Sequence, residues 1–225
     1  MSYVSVNIAS LSTRKEQLIN TVNSLLPQCD IINICLNNYE ENPFKGNPKV
    51  NVIFSDNSYG DVGKFIFVNS MKGYYFSCDD DIIYPKDYVE TMVKEIDKHQ
   101  CIISYHGRVL NPEVEGYYAQ GHREMRYFQP NTEAYFLDVC GTGVCGFSTA
   151  YFNPTTIYRS SYKRMSDLVF SLEAIKQGKK IVTPEKKHNW IKGQEVKSSI
   201  FKSENRGKQT RQIELMKQIL LCKHS

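Results

Sequence analysis

The sequence predicts an α/β domain with a mostly parallel central sheet flanked by helices, and three observations carry that prediction. Strand and helix signals alternate through the first hundred residues, in the order that calls for right-handed crossovers. An apolar, aromatic strand, Tyr74-Tyr75-Phe76-Ser77-Cys78, runs straight into Asp79-Asp80-Asp81, which puts charge at the strand end where such sheets bind ligands. With 225 residues, 41% hydrophobic and 23% charged, the chain is long enough for one substantial core and is not of disordered composition.

Each element follows from local pattern. Tyr3 to Ala9 reads as the first strand, and Thr13 to Glu16 has the Thr-x-x-Glu form of a capping box. The helix it opens carries Leu18, Ile19, Val22, Leu25 and Leu26 at helical spacing and stops at Pro27. Ile31 to Leu36 is the second strand, closed by the turn formers Asn37 and Asn38, and Val50 to Phe54 is the third. A helix fits Val62 to Met71, with Gly73 as its stop. After the aspartates, Pro85 suits an early helix position, and Tyr88, Val89, Met92, Val93 and Ile96 form one apolar face. Cys101 to Tyr105 is the next strand.

The stretch His106 to Pro130, rich in Tyr, Gly, His and Arg, reads as a binding surface of loops. Tyr135 to Val139 resumes a strand that leads into the turn-like Gly141-Thr142-Gly143-Val144-Cys145-Gly146. Ser166 can cap a helix from Asp167 to Gln177, ended by Gly178, with Lys180 to Thr183 as the last strand. The expected organisation is one domain over 1–192, with halves 1–105 and 106–192, followed by a mobile basic loop and a C-terminal helix over 193–225. Ile213, Met216 and Leu220 form that helix's docking face.

Composition also excludes classes. The longest apolar runs fall far short of the roughly 18 residues of a membrane span, and Met1 to Val4 begins directly on a strand pattern, so neither a signal peptide nor a transmembrane helix is expected. Seven scattered cysteines with no CxxC pair point to reduced thiols and a cytoplasmic protein. The net charge of +4 is concentrated after Lys186, a tail suited to diphosphates or to the inner face of an anionic membrane.

Three adjacent carboxylates repel and raise one another's pKa values unless a cation sits among them, and hard cations take oxygen ligands that they share with phosphates. The ordered set Ser10 to Arg14, Gly60 to Phe65, Cys78 to Pro85, Gly141-Thr142-Gly143, Ser166-Asp167-Leu168 and His188-Asn189-Trp190 resembles glycosyltransferases of the GT-A (nucleotide-diphospho-sugar transferase) fold, similar to family two, over roughly residues 1 to 192. The resemblance implies a Mn²⁺ or Mg²⁺ cofactor held by Asp81 with Asp79 and His188. It implies a nucleoside-diphosphate sugar donor, UDP-linked, around Ala9, Ser10, Arg14, Asn37, Asn38, Asp61, Lys64, Asp79 and Asp80. The acceptor would be a glycan or a lipid-linked hydroxyl, with His106, Arg108, Gly141, Thr142, Gly143 and Trp190 as acceptor or sugar contacts. Asp167, in a first helical turn whose dipole favours a carboxylate, is the implied general base of an inverting transfer.

Three other readings compete. A haloacid-dehalogenase-type phosphatase also uses Asp-x-Asp after a strand, but here the motif comes after three strands and lacks the downstream Lys and Gly-Asp pattern. A sugar nucleotidyltransferase shares the metal logic, but Ala9 to Lys15 has no Gly-rich, Arg-Lys phosphate loop. A sugar- or nucleic-acid-binding module would use the 15 tyrosines and basic tail. No nucleic-acid motif accompanies them, so no nucleic-acid partner is expected.

Overall fold

Strands covered on both faces carry near-continuous apolar runs, and Ile31–Asn37 is of that kind: every residue from Ile32 to Asn37 is buried. In the computed structural model, which describes residues 3–162, 164–196 and 209–223, this strand is β2 of an eight-stranded sheet. The strands in chain order are β1 Val4–Leu11, β2 Ile31–Asn37, β3 Val50–Ser55, β4 Tyr74–Asp79, β5 Ile82–Ile83, β6 Ile102–Ser104, β7 Gly107–Val109, β8 Arg123–Met125, β9 Tyr135–Phe136, β10 Val139–Cys140, β11 Val144–Ser148, β12 Ile181–Thr183 and β13 Lys192–Gly193. The α-helices are α1 Lys15–Leu25, α2 Tyr88–His99, α3 Ser166–Lys176 and α4 Thr210–Lys223. The large sheet runs β3-β2-β1-β4-β11-β6-β12-β9, and its first four strands are parallel.

One face of the sheet buries Leu18, Val22 and Leu25 of α1 and Val89, Met92 and Ile96 of α2 against Val6, Ile8, Ile32, Ile34 and Phe76. On the other face Val62, Phe65 and Val68 join Phe170 and Ala174 of α3 over Tyr75, Ile102, Cys145 and Phe147. Helix α4 docks through Leu215, Met216 and Ile219 onto Leu168 and Leu172 of α3.

A polar row crosses this apolar sheet. Asn7, Asn33 and Asn51 stand opposite one another on β1, β2 and β3. Asn33 Nδ2 donates to Asn7 Oδ1 at 2.9 Å, Asn51 Nδ2 donates to Asn33 Oδ1 at 3.1 Å, and Asn7 Nδ2 donates to the Phe76 carbonyl of β4 at 3.2 Å. A one-residue slip of any strand would leave buried amides unpaired, so the row fixes register.

Several expected elements differ. Residues 62–71 do not form an α-helix but two 3₁₀ turns, Gly60–Phe65 and Val68–Ser70. Glycine and β-branched residues are weak helix formers, and Gly63 lies so close to β2 that a Cβ there would come 2.7 Å from Cys35 Sγ. Thr13 caps nothing: Ser12–Arg14 is a 3₁₀ turn and α1 starts at Lys15 without a side-chain cap, which frees the Arg14 side chain to turn toward the aspartates. Pro85 precedes α2, its carbonyl accepting the Tyr88 N–H at 3.0 Å. The single strand expected over Tyr135 to Val139 breaks into β9 and β10, because Asp138 turns inward to accept the Leu110 N–H and pair with Lys223. The turn-like run from Gly141 becomes β11 at Val144, antiparallel between β4 and β6.

The cysteines are free thiols, six of them buried. Among the described residues no helix is long and apolar enough to cross a membrane. Of the expected mobile loop over 193–208, residues 197–208 lie outside the described residues; Lys192–Gly193 pairs with β5, and the Gln194 N–H donates to the Asp81 carbonyl at 2.7 Å.

Asn33→Ala orphans the buried Asn7 carbonyl oxygen and is expected to lower stability by about 1–3 kcal/mol in urea denaturation. An unchanged midpoint would show that the asparagine row does not hold the register.

Candidate functional site

Strand β4 ends at Asp79, and the chain turns through Asp80 and Asp81 before β5. That turn is fastened from below: Thr21 Oγ1 of α1 donates to the Asp80 and Ile82 carbonyls at 2.9 and 2.8 Å. The antiparallel partner β11 brings a second turn, Gly141-Thr142-Gly143, beside the first, and Ser77 Oγ donates to the Thr142 carbonyl at 2.6 Å. Tyr84 joins the two turns, its hydroxyl donating to the Gly143 carbonyl at 2.5 Å and accepting the Asp79 N–H at 3.0 Å. Gly143 must be glycine, since a Cβ there would overlap the Asp79 carboxylate.

The three aspartates have different partners. Asp79 accepts from the buried Lys64 ammonium at 2.7 Å. Enclosure opposes charge on both groups, yet the pair wins: Lys64 is held above its ordinary pKa by Asp79, Asp167 and Asp61, and Asp79 is held below its own by Lys64. Arg14 bridges the other two, Nη1 lying 2.8 Å from Asp80 and 3.1 Å from Asp81. Asp80 is 3% exposed, and burial raises its pKa against the pull of Arg14. Asp81 is pushed up to about 7 by burial, then by Asp79 and Asp80.

Asp61 has a structural task that the sequence did not reveal. Its carboxylate accepts the backbone N–H groups of Arg164 and Ser166, each at 2.9 Å, and so caps α3 from more than a hundred residues away. Ser166, expected to be the cap, is instead the first residue of the helix. Asp167 follows it in the first turn, and its Oδ1 accepts both the N–H of Thr142 at 2.8 Å and the hydroxyl of Thr142 at 2.6 Å. Thr142 is 1% exposed, so the base candidate is held by a buried partner.

Two cavities meet at these residues. One, of about 380 Å³, is lined by Ala9, Ser10, Arg14, Asn37 and the three aspartates. The other, of about 270 Å³, is lined by His106, Arg108, Tyr117, Gly141, Thr142 and Asp167. Asp61, Lys64, Asp79 and Arg164 line both and form the shared wall. In the first cavity Ser10 Oγ lies 2.9 Å from the Tyr39 hydroxyl, and Asn37 Nδ2 donates to the Gly60 carbonyl at 3.3 Å. In the second, the Arg108 guanidinium is already engaged. It lies 2.8 Å from Glu124 and 4.3 Å over the Tyr117 ring, and donates to the Tyr117 carbonyl. The His106 ring packs against Gly141, and burial lowers its pKa.

Three expected site residues are elsewhere. His188 is exposed on the loop after β12 and lines neither cavity, because that loop turns away to pair Asn189 N–H with the Phe128 carbonyl. Trp190 packs on Tyr88 and Tyr105, with its indole N–H donated to Asp87 at 3.0 Å. Asn38 is an exposed turn residue with φ of 57° whose N–H bonds the Ser55 carbonyl. Conversely, Tyr117, Tyr118 and Gln212 of α4 line the second cavity without having been singled out. The tyrosine pair sits in the Tyr-rich stretch that the sequence marks as a surface; Gln212 carries no local signal.

No family model and no curated protein matches the chain. Among solved structures, it is similar to the crystal structure of 4-diphosphocytidyl-2C-methyl-D-erythritol synthase from Anaerococcus prevotii, with a TM-score of 0.52 and 9% identity over 99% of this chain and 97% of that one. At that identity the likeness is one of fold: a mixed α/β domain with a large, mostly parallel sheet and flanking helices, while the resemblance to glycosyltransferase family two rests on the motifs alone.

Proposed function

We propose that the chain is a transferase acting on a nucleotide-linked substrate, with the nucleotide in the Ser10–Arg14–Asn37 cavity and the second reactant in the His106–Thr142–Asp167 cavity. The observation that carries this is the shared wall of Lys64 and Asp79: a bond broken there lies between one cavity suited to a nucleotide and another that holds a fixed carboxylate.

Of the two chemistries such a site can perform, glycosyl transfer from a nucleoside-diphosphate sugar is the one the side chains favour. Asp167 is held through Oδ1 by Thr142, which leaves Oδ2 to take the proton of an attacking hydroxyl. That oxygen attacks the anomeric carbon in a single displacement with inversion, and the nucleoside diphosphate leaves toward Lys64 and Arg14, whose charge offsets the charge that develops on it. Nucleotidyl transfer is favoured by a different observation, the fold likeness to a 4-diphosphocytidyl-2C-methyl-D-erythritol synthase. Arg14 and Lys64, each already facing carboxylates, would serve the phosphates of either reaction, so what favours glycosyl transfer is the separate carboxylate of Asp167 in the second cavity.

Among the described residues no three His, Cys, Asp or Glu side chains converge on a metal position, so a divalent cation here would rest on two carboxylates and share the phosphate oxygens of the substrate. Asp79 and Asp81 would hold it, and its charge would offset the repulsion from Asp79 and Asp80 that adds to the effect of burial on Asp81. When bound, such an ion stabilises charge on a diphosphate. His188 has no part in this arrangement. Mn²⁺ and Mg²⁺ suit these oxygen donors equally.

Two tests follow. Incubation with UDP-sugars should release nucleoside diphosphate, and Asp167→Asn should cut that release by about 10²–10⁴-fold while leaving UDP affinity within a factor of about two. Pyrophosphate release from a nucleoside triphosphate would instead establish nucleotidyl transfer, and full activity of the variant would remove Asp167 as base.

The second test concerns pH without any ligand. Because the folded pKa of Asp81 lies above the ordinary value of about 3.9, the folded state holds the extra proton between about pH 4 and 7, and stability falls as pH rises through that window. Asp81→Asn removes this loss, so denaturant unfolding should find the variant more stable than the parent by about 1–2 kcal/mol at pH 8 and nearly equal to it near pH 4. Equal stability at pH 8 would contradict the crowding of charge at Asp81.

A further inference from the structure

His106 stands in the second cavity without a protein partner for its ring. It follows β6, which runs parallel to β4, so it rises from the same edge of the sheet as Asp79. Its backbone is pinned: the His106 carbonyl accepts the Ser104 hydroxyl at 2.7 Å and the Gly141 N–H at 2.8 Å, and the His106 N–H donates to Ser104 Oγ at 3.3 Å. The ring lies so close to Gly141 that a Cβ there would come 2.5 Å from its Cδ2, and the Tyr127 ring meets it at 5.9 Å between centres and a steep angle. This packing encloses Nδ1, which has no hydrogen-bond partner among the described residues. Nε2 is likewise unpartnered but is not enclosed. Arg108, another donor on the same wall, is already held by Glu124 and the Tyr117 carbonyl.

A neutral imidazole donates at one nitrogen and accepts at the other, and its surroundings decide which is which. A buried N–H without an acceptor is less tolerable than a buried acceptor left bare, so the proton belongs on Nε2. We infer that His106 is a neutral donor whose Nε2–H binds an oxygen of the second reactant, so that this cavity selects a reactant offering two oxygens, as a sugar does, one to His106 and one to Asp167. Burial opposes a second proton on the ring, and Arg108 adds to it; together they outweigh Asp167, Glu124 and Asp79, which favour one. With its accessible nitrogen protonated and its bare nitrogen enclosed, His106 has no site from which to take the reactant's proton, and that task stays with Asp167. The cavity, at about 270 Å³, lies just under the roughly 300 Å³ at which small-molecule sites begin, which suits a single sugar unit. The inference rests on the reading of this cavity as the seat of the second reactant.

The test begins with nitrogen-15 NMR of the ligand-free full chain labelled at histidine, with the His106 signals assigned by their loss in His106→Gln. Near neutral pH a single proton-bearing nitrogen, Nε2, is expected. A proton on Nδ1, or a doubly protonated ring, would overturn the inference whatever reaction the protein performs. Titration with the methyl glycosides of glucose, galactose and mannose should then move the Nε2 signal for at least one of them. Binding of that glycoside should fall by about tenfold or more in His106→Ala and in His106→Asn, whose amide reaches only the Nδ1 position. It should stay within about threefold in His106→Gln, whose amide N–H stands near the Nε2 position, with the backbone spectra of all variants otherwise unchanged. No glycoside bound by the parent, or equal binding by the parent and the three variants, would overturn the donor role. Glycoside binding through Nε2 without release of nucleoside diphosphate from any UDP-sugar would support the inference while counting against glycosyl transfer.

Discussion

The rest of the site depends on one buried ion pair, Lys64 with Asp79. Lys64 is 3% exposed and would be costly to charge there alone; Asp79 makes the charge tenable, and Asp61 and Asp167 add to the field that keeps it. The pair also sets geometry. It pins the end of β4 to the 3₁₀ turn Gly60–Phe65, whose one acidic residue, Asp61, caps α3 and so places Asp167. A contact on one side of the cleft thereby determines where the carboxylate on the other side stands.

Gly143 and Thr142 complete this arrangement from the second half of the chain. Backbone without a side chain can approach Asp79, and the next residue back supplies both an N–H and a hydroxyl to Asp167. The short turn therefore acts as a spacer between two carboxylates that would otherwise drift apart or repel.

How much of this was legible in the sequence varies with the range of the interaction. Strands β1 to β4, α1, α2 and α3 follow from local periodicity, whereas Asp79, Lys64 and Asp167 were singled out through the resemblance of their motifs, and Lys64 sits in a 3₁₀ turn where a helix was expected. Strand β11 did not show itself, because Gly141-Thr142-Gly143 looks like a turn and the apolar run after it is short. Asp61 read as a ligand contact because the cap it provides joins residues more than a hundred apart. His188 was misplaced for a related reason: its position after the last strand says which end of the sheet it is near, and not which way the loop turns. Gln212 reaches the cleft only because α4 folds back onto α3, a packing that no window of sequence contains.

The insertion of β11 between β4 and β6 has a consequence for how the molecule is made. Residues 1–105 do not make a finished layer: β4 meets β6 only through β11, a strand from later in the chain. During synthesis β4 therefore remains an open edge until residue 148 is available, and the aspartate turn has no lid of backbone until Gly143 arrives. The two cavities are thus completed in one late, long-range step of strand insertion, so that neither part of the chain forms them by itself.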